Sequence, residues 1–275
     1  MAVSAVITIG IDPTIEVGPF TLAWHGLAIA IGILVGGLTV ASDARRRGLD
    51  TEPIYTFGAI LVVGALVGGR VFFLVEHGRL GDPGAWFGTT GFTFYGGFIA
   101  AALGIALYLW RRRLSIAYLD AVAVGLPLGI AVGRVGDIIN GEHYGPPTDF
   151  VLGVRNTHPD ALTPDAAVAY HSGGLYEVLI ASIVFAIVWA LRRRLPPTAA
   201  VWLVMALLAI GRFAEFFFRS DSDTVALGLE TAQWTSLALL AAATIGACWM
   251  RSARGQATAR AEPPGAERRS TVPRA

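Results

Sequence analysis

Long stretches of this chain show no alternation of apolar and polar positions. Apolar residues run almost unbroken through 22–41, 54–75, 92–110, 117–139, 175–191, 199–218 and 231–250. Each run has about the 17–25 residues that cross the hydrocarbon of a bilayer as a helix. A barrel strand would be shorter and would alternate in polarity. The pattern therefore predicts an all-α polytopic membrane protein with seven transmembrane helices. The connections are short, except the one between the fourth and fifth runs, residues 140–174. A long connection in a compact protein is usually functional, and a small cap is expected there.

Charge turns this string of spans into a topology. Charged residues make up only 15% of the chain, against about 25% in soluble domains. All 21 basic residues apart from histidine are arginine. Triplets follow the first, third and fifth runs, at 45–47, 111–113 and 192–194, and Arg251 and Arg254 follow the seventh. The alternate loops hold only Arg79, Arg155 and Arg219. The positive-inside rule then puts the N-terminus outside, the C-terminus in the cytoplasm and residues 140–174 on the outer face. Regular placement at span ends argues against nucleic acid as the partner of the triplets. The first residues lack the basic n-region of a cleavable signal peptide. Residues 1–255 are expected to form a single membrane domain and 256–275 a disordered cytoplasmic tail. Cys248 is expected to be a packing residue, and the absence of an evident repeat gives little support to an inverted-repeat transporter.

Polar residues within the spans are the candidates for chemistry. Arg70, Arg134 and Arg212 each lie in the last third of an outward-running span. His25, Tyr95 and Glu177 open the first, third and fifth spans at the same level. Asp137, Asn140 and Glu142 close the fourth, and Glu215 and Arg219 close the sixth. Ionisable groups are expected to be nearly absent from the midplane and inner leaflet. Three readings stand. Arginines near span ends snorkel to the headgroups. They also pair locally, since Arg134 and Asp137, Arg212 and Glu215, and Glu215 and Arg219 have helical spacing. Or they form an anion site, because a guanidinium fork matches phosphate. Glycines beside them (Gly68, Gly69, Gly96, Gly97, Gly133 and Gly136) would allow close approach of backbone and ligand. No cofactor is implied. The histidines show no metal-ligand spacing.

"GRVGDIINGEHYG" at 133–145 resembles the signature of the bacterial prolipoprotein diacylglyceryl transferases, which usually reads GR-x-GN-x-x-N-x-E-x-x-G. "VGPFTLAWHGL", "LVGGRVFF", "FTFYGGFIA", "HSGGLYE" and "GRFAEFFFR" resemble further segments of that family, in order, across residues 15–250. The resemblance implies a seven-span enzyme of the bacterial inner membrane with its site toward the outer leaflet. Its donor is phosphatidylglycerol and its acceptor the lipobox cysteine of a prolipoprotein signal peptide. The products are a thioether and glycerol phosphate. It further implies catalytic roles for Arg134 and Arg212 at the phosphate and for Tyr95 in orienting the phosphate or relaying a proton; His25 and His143 are fallback bases, and Asp137, paired with Arg134, is a further candidate. Lipid contacts are implied for Arg70, Arg134, Asn140, Glu142, Gly96, Gly97, Glu177 and Glu215. Asp137 stands where the family usually has asparagine, and Tyr95 where many relatives have histidine. A paralogue that binds anionic lipid without transfer, or a transporter, is the alternative.

Overall fold

The structure is a computed structural model that describes residues 6–87, 91–220 and 224–261; the side chains of 94, 95 and 253–261 lie outside the description. Five helices among the described residues are long and apolar enough to cross a membrane: Trp24–Arg46, Glu52–Glu76, Ala117–Asn140, Gly173–Leu191 and Ala199–Phe218. The chain is thus mostly helical and has the character of a multi-pass membrane protein. The first span is α1 (Trp24–Arg46). The second is α2 (Glu52–Val63) and α3 (Gly69–Glu76), joined by one π-helical turn at Gly64–Gly68. Next comes α4 (Phe94–Arg111), whose apolar part, Gly96–Arg111, is shorter than those five helices. The fourth run becomes α5 (Ala117–Gly133) and α6 (Val135–Asn140), with a break at Arg134. The last three helices are α7 (Gly173–Leu191), α8 (Ala199–Glu215) and α9 (Thr231–Ala261).

Helix α1 packs most closely on α5. A Cβ added to Gly32 would lie 2.5 Å from the Gly129 carbonyl oxygen, and one added to Gly125 would lie 2.5 Å from that of Gly36. Only glycine permits this approach. In lipid, where apolar burial drives association weakly, such contact is what holds helices together. Two buried clusters flank the seam. Val40, Ala41, Ala44, Ile54, Phe57, Tyr118 and Ala121 form one. Ala123, Val124, Val184, Val188, Ala200 and Val204 form the other. Large apolar side chains such as Leu34 and Leu38 point outward and are exposed, as lipid-facing residues should be. Cys248 is also exposed, which corrects its expected packing role. It lies on α9, which packs chiefly along α8 and leaves its far face uncovered.

The elements between helices are not all loop. Strands β1 (Ile7–Ile9), β4 (Tyr144–Pro147), β5 (Val154–Asn156) and β6 (Tyr170–Ser172) form one sheet in the order β1-β5-β6-β4. The β1–β5 pair is parallel, with Ile7 opposite Val154, and ties the start of the chain to the long connection. Strands β2 (Thr14–Val17) and β3 (Phe20–Ala23) form a hairpin that leads into α1. A second hairpin, β7 (Thr224–Ala226) with β8 (Leu229–Glu230), leads into α9. These strands are additions to the all-helical expectation.

Candidate active site

The break at Arg134 organises the site. Helix α6 ends at Asn140 on a left-handed Gly141 (φ 71°). Buried Asn156 of β5 donates from Nδ2 to the carbonyls of Ile138 (2.9 Å) and Ile139 (3.1 Å), satisfying acceptors that a helix end leaves open. Opposite, the Ser172 hydroxyl caps α7 by accepting from the Leu175 amide at 3.2 Å. Gly136 lies so close to α1 that a Cβ there would sit 2.6 Å from the His25 Cα. One on Gly174 would lie 3.0 Å from the Asp137 Cβ. Two helix starts and a capped helix end are thereby brought onto one short segment.

A chain of polar contacts runs through this junction. His25 Nδ1 lies 2.6 Å from Asp137 Oδ1 and 3.2 Å from Glu142 Oε2. Asp137 Oδ2 accepts from Arg134 Nη1 at 2.5 Å. Arg134 Nε pairs with Glu177 Oε2, and Arg212 Nη1 pairs with the other oxygen of the same carboxylate. Arg212 and Arg219 lie on the Phe216 ring, 5.0 and 4.4 Å from its centroid. Arg219 reaches Glu215 at 3.5 Å and donates from Nη2 to His143 Nδ1 at 2.7 Å. His143 Nε2 is 3.8 Å from Asp137 Oδ2, which closes the circuit. Asn140 Nδ2 donates to Glu142 Oε1 at 2.9 Å. Asp137, Asn140, Glu177 and Glu215 are buried, whereas the side chains of His25 and Arg212 are 35% and 36% exposed. The cluster is therefore rooted in the protein and open on one side.

Three arginines face four carboxylates here. Buried carboxylates of like charge would repel strongly without cations between them. Glu177 is shared by Arg134 and Arg212, so those two guanidiniums are held near each other by one acceptor. His25, Asp137 and Glu142 also each offer an atom within 4.8 Å of the others, as a metal site would require. The 2.6 Å separation of His25 from Asp137 is a hydrogen-bond length. Two ligands on a tetrahedral ion would sit about 3.3 Å apart, from metal–ligand distances of about 2.0–2.1 Å. Arg134 moreover already supplies positive charge at Asp137.

The structure thus brings together His25, Arg134, Asp137, Asn140, Glu142, Glu177, Arg212 and Glu215. The pairing differs from the expected one at one point, for Arg212 goes to Glu177 and Glu215 to Arg219. Arg70 is buried, and its described bonds run elsewhere, to the carbonyls of Ala85 and of Gly91 (3.0 Å), with Phe73 and Phe92 beneath the guanidinium. Gly96 and Gly97 are buried against Phe72, Gly68 and Ala65, so their small size has a helix-packing cause. The side chain of Tyr95 lies outside the described residues. Sequence reading missed Asn156 and did not assign Ser172 its role as a cap. Ser172 carried a legible signal, a cap residue directly before an apolar run.

A second polar cluster lies at the opposite end of α1. Asp43 accepts from Arg46 Nε at 2.7 Å and from Arg47 Nε at 2.6 Å. Asp120 accepts from the Thr198 amide at 2.7 Å and lies 3.4 Å from Arg47 Nη1. Both carboxylates are buried. Asp120 lies inside the fourth predicted run and Asp43 just beyond the first, so buried ionisable groups are not confined to the His25 end of α1. The arginines after the first span mark topology and also bind buried carboxylate partners.

Comparison with known proteins bears on the same stretch. Residues 13–249 match the family model described as prolipoprotein diacylglyceryl transferase. A phosphatidylglycerol–prolipoprotein diacylglyceryl transferase of Nitrosomonas europaea is 32% identical over 84% of this chain and 87% of its own length. One from Synechococcus elongatus is 31% identical over 86% of each chain. Another from Erythrobacter litoralis is 28% identical over 84% of this chain and 86% of its own. With the signature stretch at the centre of the ion-pair circuit and the match spanning nearly all the helices, the chain belongs to the prolipoprotein diacylglyceryl transferase family.

Proposed function

We propose that this protein transfers the diacylglyceryl group of phosphatidylglycerol to the lipobox cysteine thiol of prolipoproteins, and that the transfer takes place at the Arg134–Glu177–Arg212 cluster. The observation that carries the reading is the convergence of two arginines on one partly exposed edge, in a chain of this family. The chain crosses the bacterial inner membrane seven times, α4 and α9 included, with its N-terminus outside. The cluster then lies at the depth of outer-leaflet phosphates, under a cap made by the β1-β5-β6-β4 sheet. Residues 1–255 act as one membrane domain, and 256–275 form a cytoplasmic tail.

The thiolate sulfur forms a bond to the glyceryl carbon that carries the phosphate ester. The carbon–oxygen bond breaks and its electron pair leaves with glycerol phosphate. Charge grows on the departing phosphate, and preorganised donors aimed there are the natural source of rate. Arg134 and Arg212 supply them as planar forks. Phosphate competes with Glu177 for these forks, so Glu177 and Glu215 set how tightly the lipid is held. Asn140 and Glu142 line the same edge and complete the headgroup contacts. Gly96 and Gly97, packed against the second span, fix the start of α4, which meets the headgroup. Arg70 supports that edge through the segment it ties down before α4.

The direct test offers the purified protein labelled phosphatidylglycerol and a lipobox peptide. Thioether-linked label on the peptide is expected. Lipid binding without transfer would mark a lipid-binding paralogue, and lipid movement without chemistry a transporter. Orientation is tested in a Cys248→Ser background, where Asp149→Cys should react with an impermeant thiol reagent added outside and Ser115→Cys should not. The reverse pattern would put the arginines in the wrong leaflet.

A further inference from the structure

The transfer needs a group that takes the proton from the acceptor thiol. We infer that His25 is that base, with Asp137 and Glu142 as positioning residues, an inference that rests on the transferase reading above. The geometry points to it in three ways. First, both contacts of His25 Nδ1, at 2.6 and 3.2 Å, are carboxylate oxygens. A carboxylate only accepts, so the proton of the neutral ring sits on Nδ1 and the lone pair on Nε2. Among the described residues Nε2 has no hydrogen-bond partner, and the side chain is 35% exposed while Asp137 beneath it is 1% exposed. The ring is thus partly open, and its contacts to Asp137 and Glu142 leave Nε2 as the basic nitrogen.

Second, the ring cannot drift. Gly136 holds the α1 backbone at His25 by contact with its Cα. Two carboxylates from the segment after Arg134 fix the ring plane. Third, the base is one carboxylate away from the proposed phosphate site, since Asp137 bonds His25 through Oδ1 and Arg134 through Oδ2. A thiol at Nε2 is thereby placed beside a lipid phosphate at Arg134. His143, the other histidine of the cluster, is committed differently. Its Nδ1 accepts from Arg219 at 2.7 Å, which leaves its proton on Nε2, toward Asp137. The charged and titratable groups around His25 are Asp137 and Glu142 directly, and Arg134 and His143 through Asp137.

The step balances without a further reactant. The S–H proton passes to Nε2 of His25. The thiolate forms the C–S bond, the C–O bond breaks, and the electron pair goes to the phosphate oxygen. The imidazolium, neutralised by the two carboxylates, then returns its proton to departing glycerol phosphate.

The test measures single-turnover transfer from labelled phosphatidylglycerol to a lipobox peptide between pH 6.5 and 9.5. The full-length parent, His25→Gln and His25→Ala are compared at equal amounts of folded, lipid-binding protein. General-base catalysis contributes about 100- to 10,000-fold, so His25→Gln should be at least about 100-fold slower at pH 7. A free thiol ionises near pH 8.5, so the deficit should shrink roughly 30-fold toward pH 9.5 as the acceptor loses its own proton. Added imidazole should restore part of the rate of His25→Ala. A His25→Gln rate close to the parent's overturns the inference alone. So does a deficit that is constant with pH and is not relieved by imidazole, which would mark a structural role. A parent that transfers nothing overturns the transferase reading and this inference with it.

Discussion

The two ends of α1 carry ion clusters built from the same residue types and have different architectures. At the Asp43 end the pairs are mostly local, three and four residues apart on one helix, with Asp120 and the Thr198 amide joining from α5 and the turn before α8. At the His25 end the partners come from α1, the break between α5 and α6, α6, α7, α8 and the turns beyond α6 and α8, and one carboxylate serves two arginines. Local pairs close a helix end cheaply, since the backbone already presents both groups. A convergent set forms only if the whole fold is assembled, and it leaves Arg134 and Arg212 partly exposed at its edge. The difference separates a fastening from a site.

The sharpest way to break this comparison is to exchange arginine for lysine at both ends. Arg134→Lys and Arg212→Lys keep the charge and lose the planar fork, so each should cost about 100-fold or more in transfer rate, comparable to removing one preorganised donor from an oxyanion site. Arg47→Lys should leave transfer at the parental rate, because a point charge near Asp43 and Asp120 still suffices there. Rates are compared at equal amounts of inserted protein. Similar losses at both ends, or none at either, would erase the distinction.

The spans were readable because a bilayer demands long apolar runs, and the five helices long and apolar enough to cross it among the described residues fall on predicted ones. The Arg134–Asp137 pair was readable because its three-residue spacing lies on one helix face. The Arg212–Glu177 pair was not. Its members are 35 positions apart on different helices, and a nearer carboxylate, Glu215, satisfied the spacing rule first. The β1–β5 pairing was equally hidden, for strands of three residues give no periodicity and these two lie far apart in the sequence. Asp43 was missed because a charge beside an arginine triplet looks solvated until packing shows it buried, and Asp120 because its partners, Arg47 and the Thr198 amide, come from distant parts of the chain.

The next effect lies in stability and belongs to the other end. Asp43 anchors Arg46 and Arg47 and lies 3.9 Å from Arg192, with its own side chain fully buried. Breaking a buried pair costs about 3–5 kcal/mol, but these arginines are partly solvated and relax, so about 2 kcal/mol is expected for Asp43→Asn. Thermal unfolding in detergent should fall by several degrees, while transfer per folded molecule at low temperature stays unchanged. A loss of transfer without a loss of stability would mean that the Asp43 end also communicates with the chemistry.

The smallest effect sharpens the contrast through pH. The Asp43 cluster contains no histidine, whereas His171 lies in β6 beside the site. Its Nδ1 is 2.5 Å from the Tyr176 hydroxyl, and its ring is 5.3 Å from that of Phe218. Burial lowers its pKa below the ordinary value of 6.5. The unfolded chain therefore takes up this proton first as the pH falls. The contribution of the neutral ring is fully present above pH 6.5 and is lost as the pH drops below it through the folded value. Hydrogen-exchange protection factors, corrected for the intrinsic pH dependence of exchange, should then fall between pH 7.5 and 5.5 for amides of residues 144–156 and 170–176. Amides of residues 40–47 should hold their protection over the same range. His171→Gln removes the titration while keeping a polar side chain, so its sheet should lose less protection on acidification than the parent's. An equal loss in both proteins would show that His171 does not carry the acid sensitivity of the sheet.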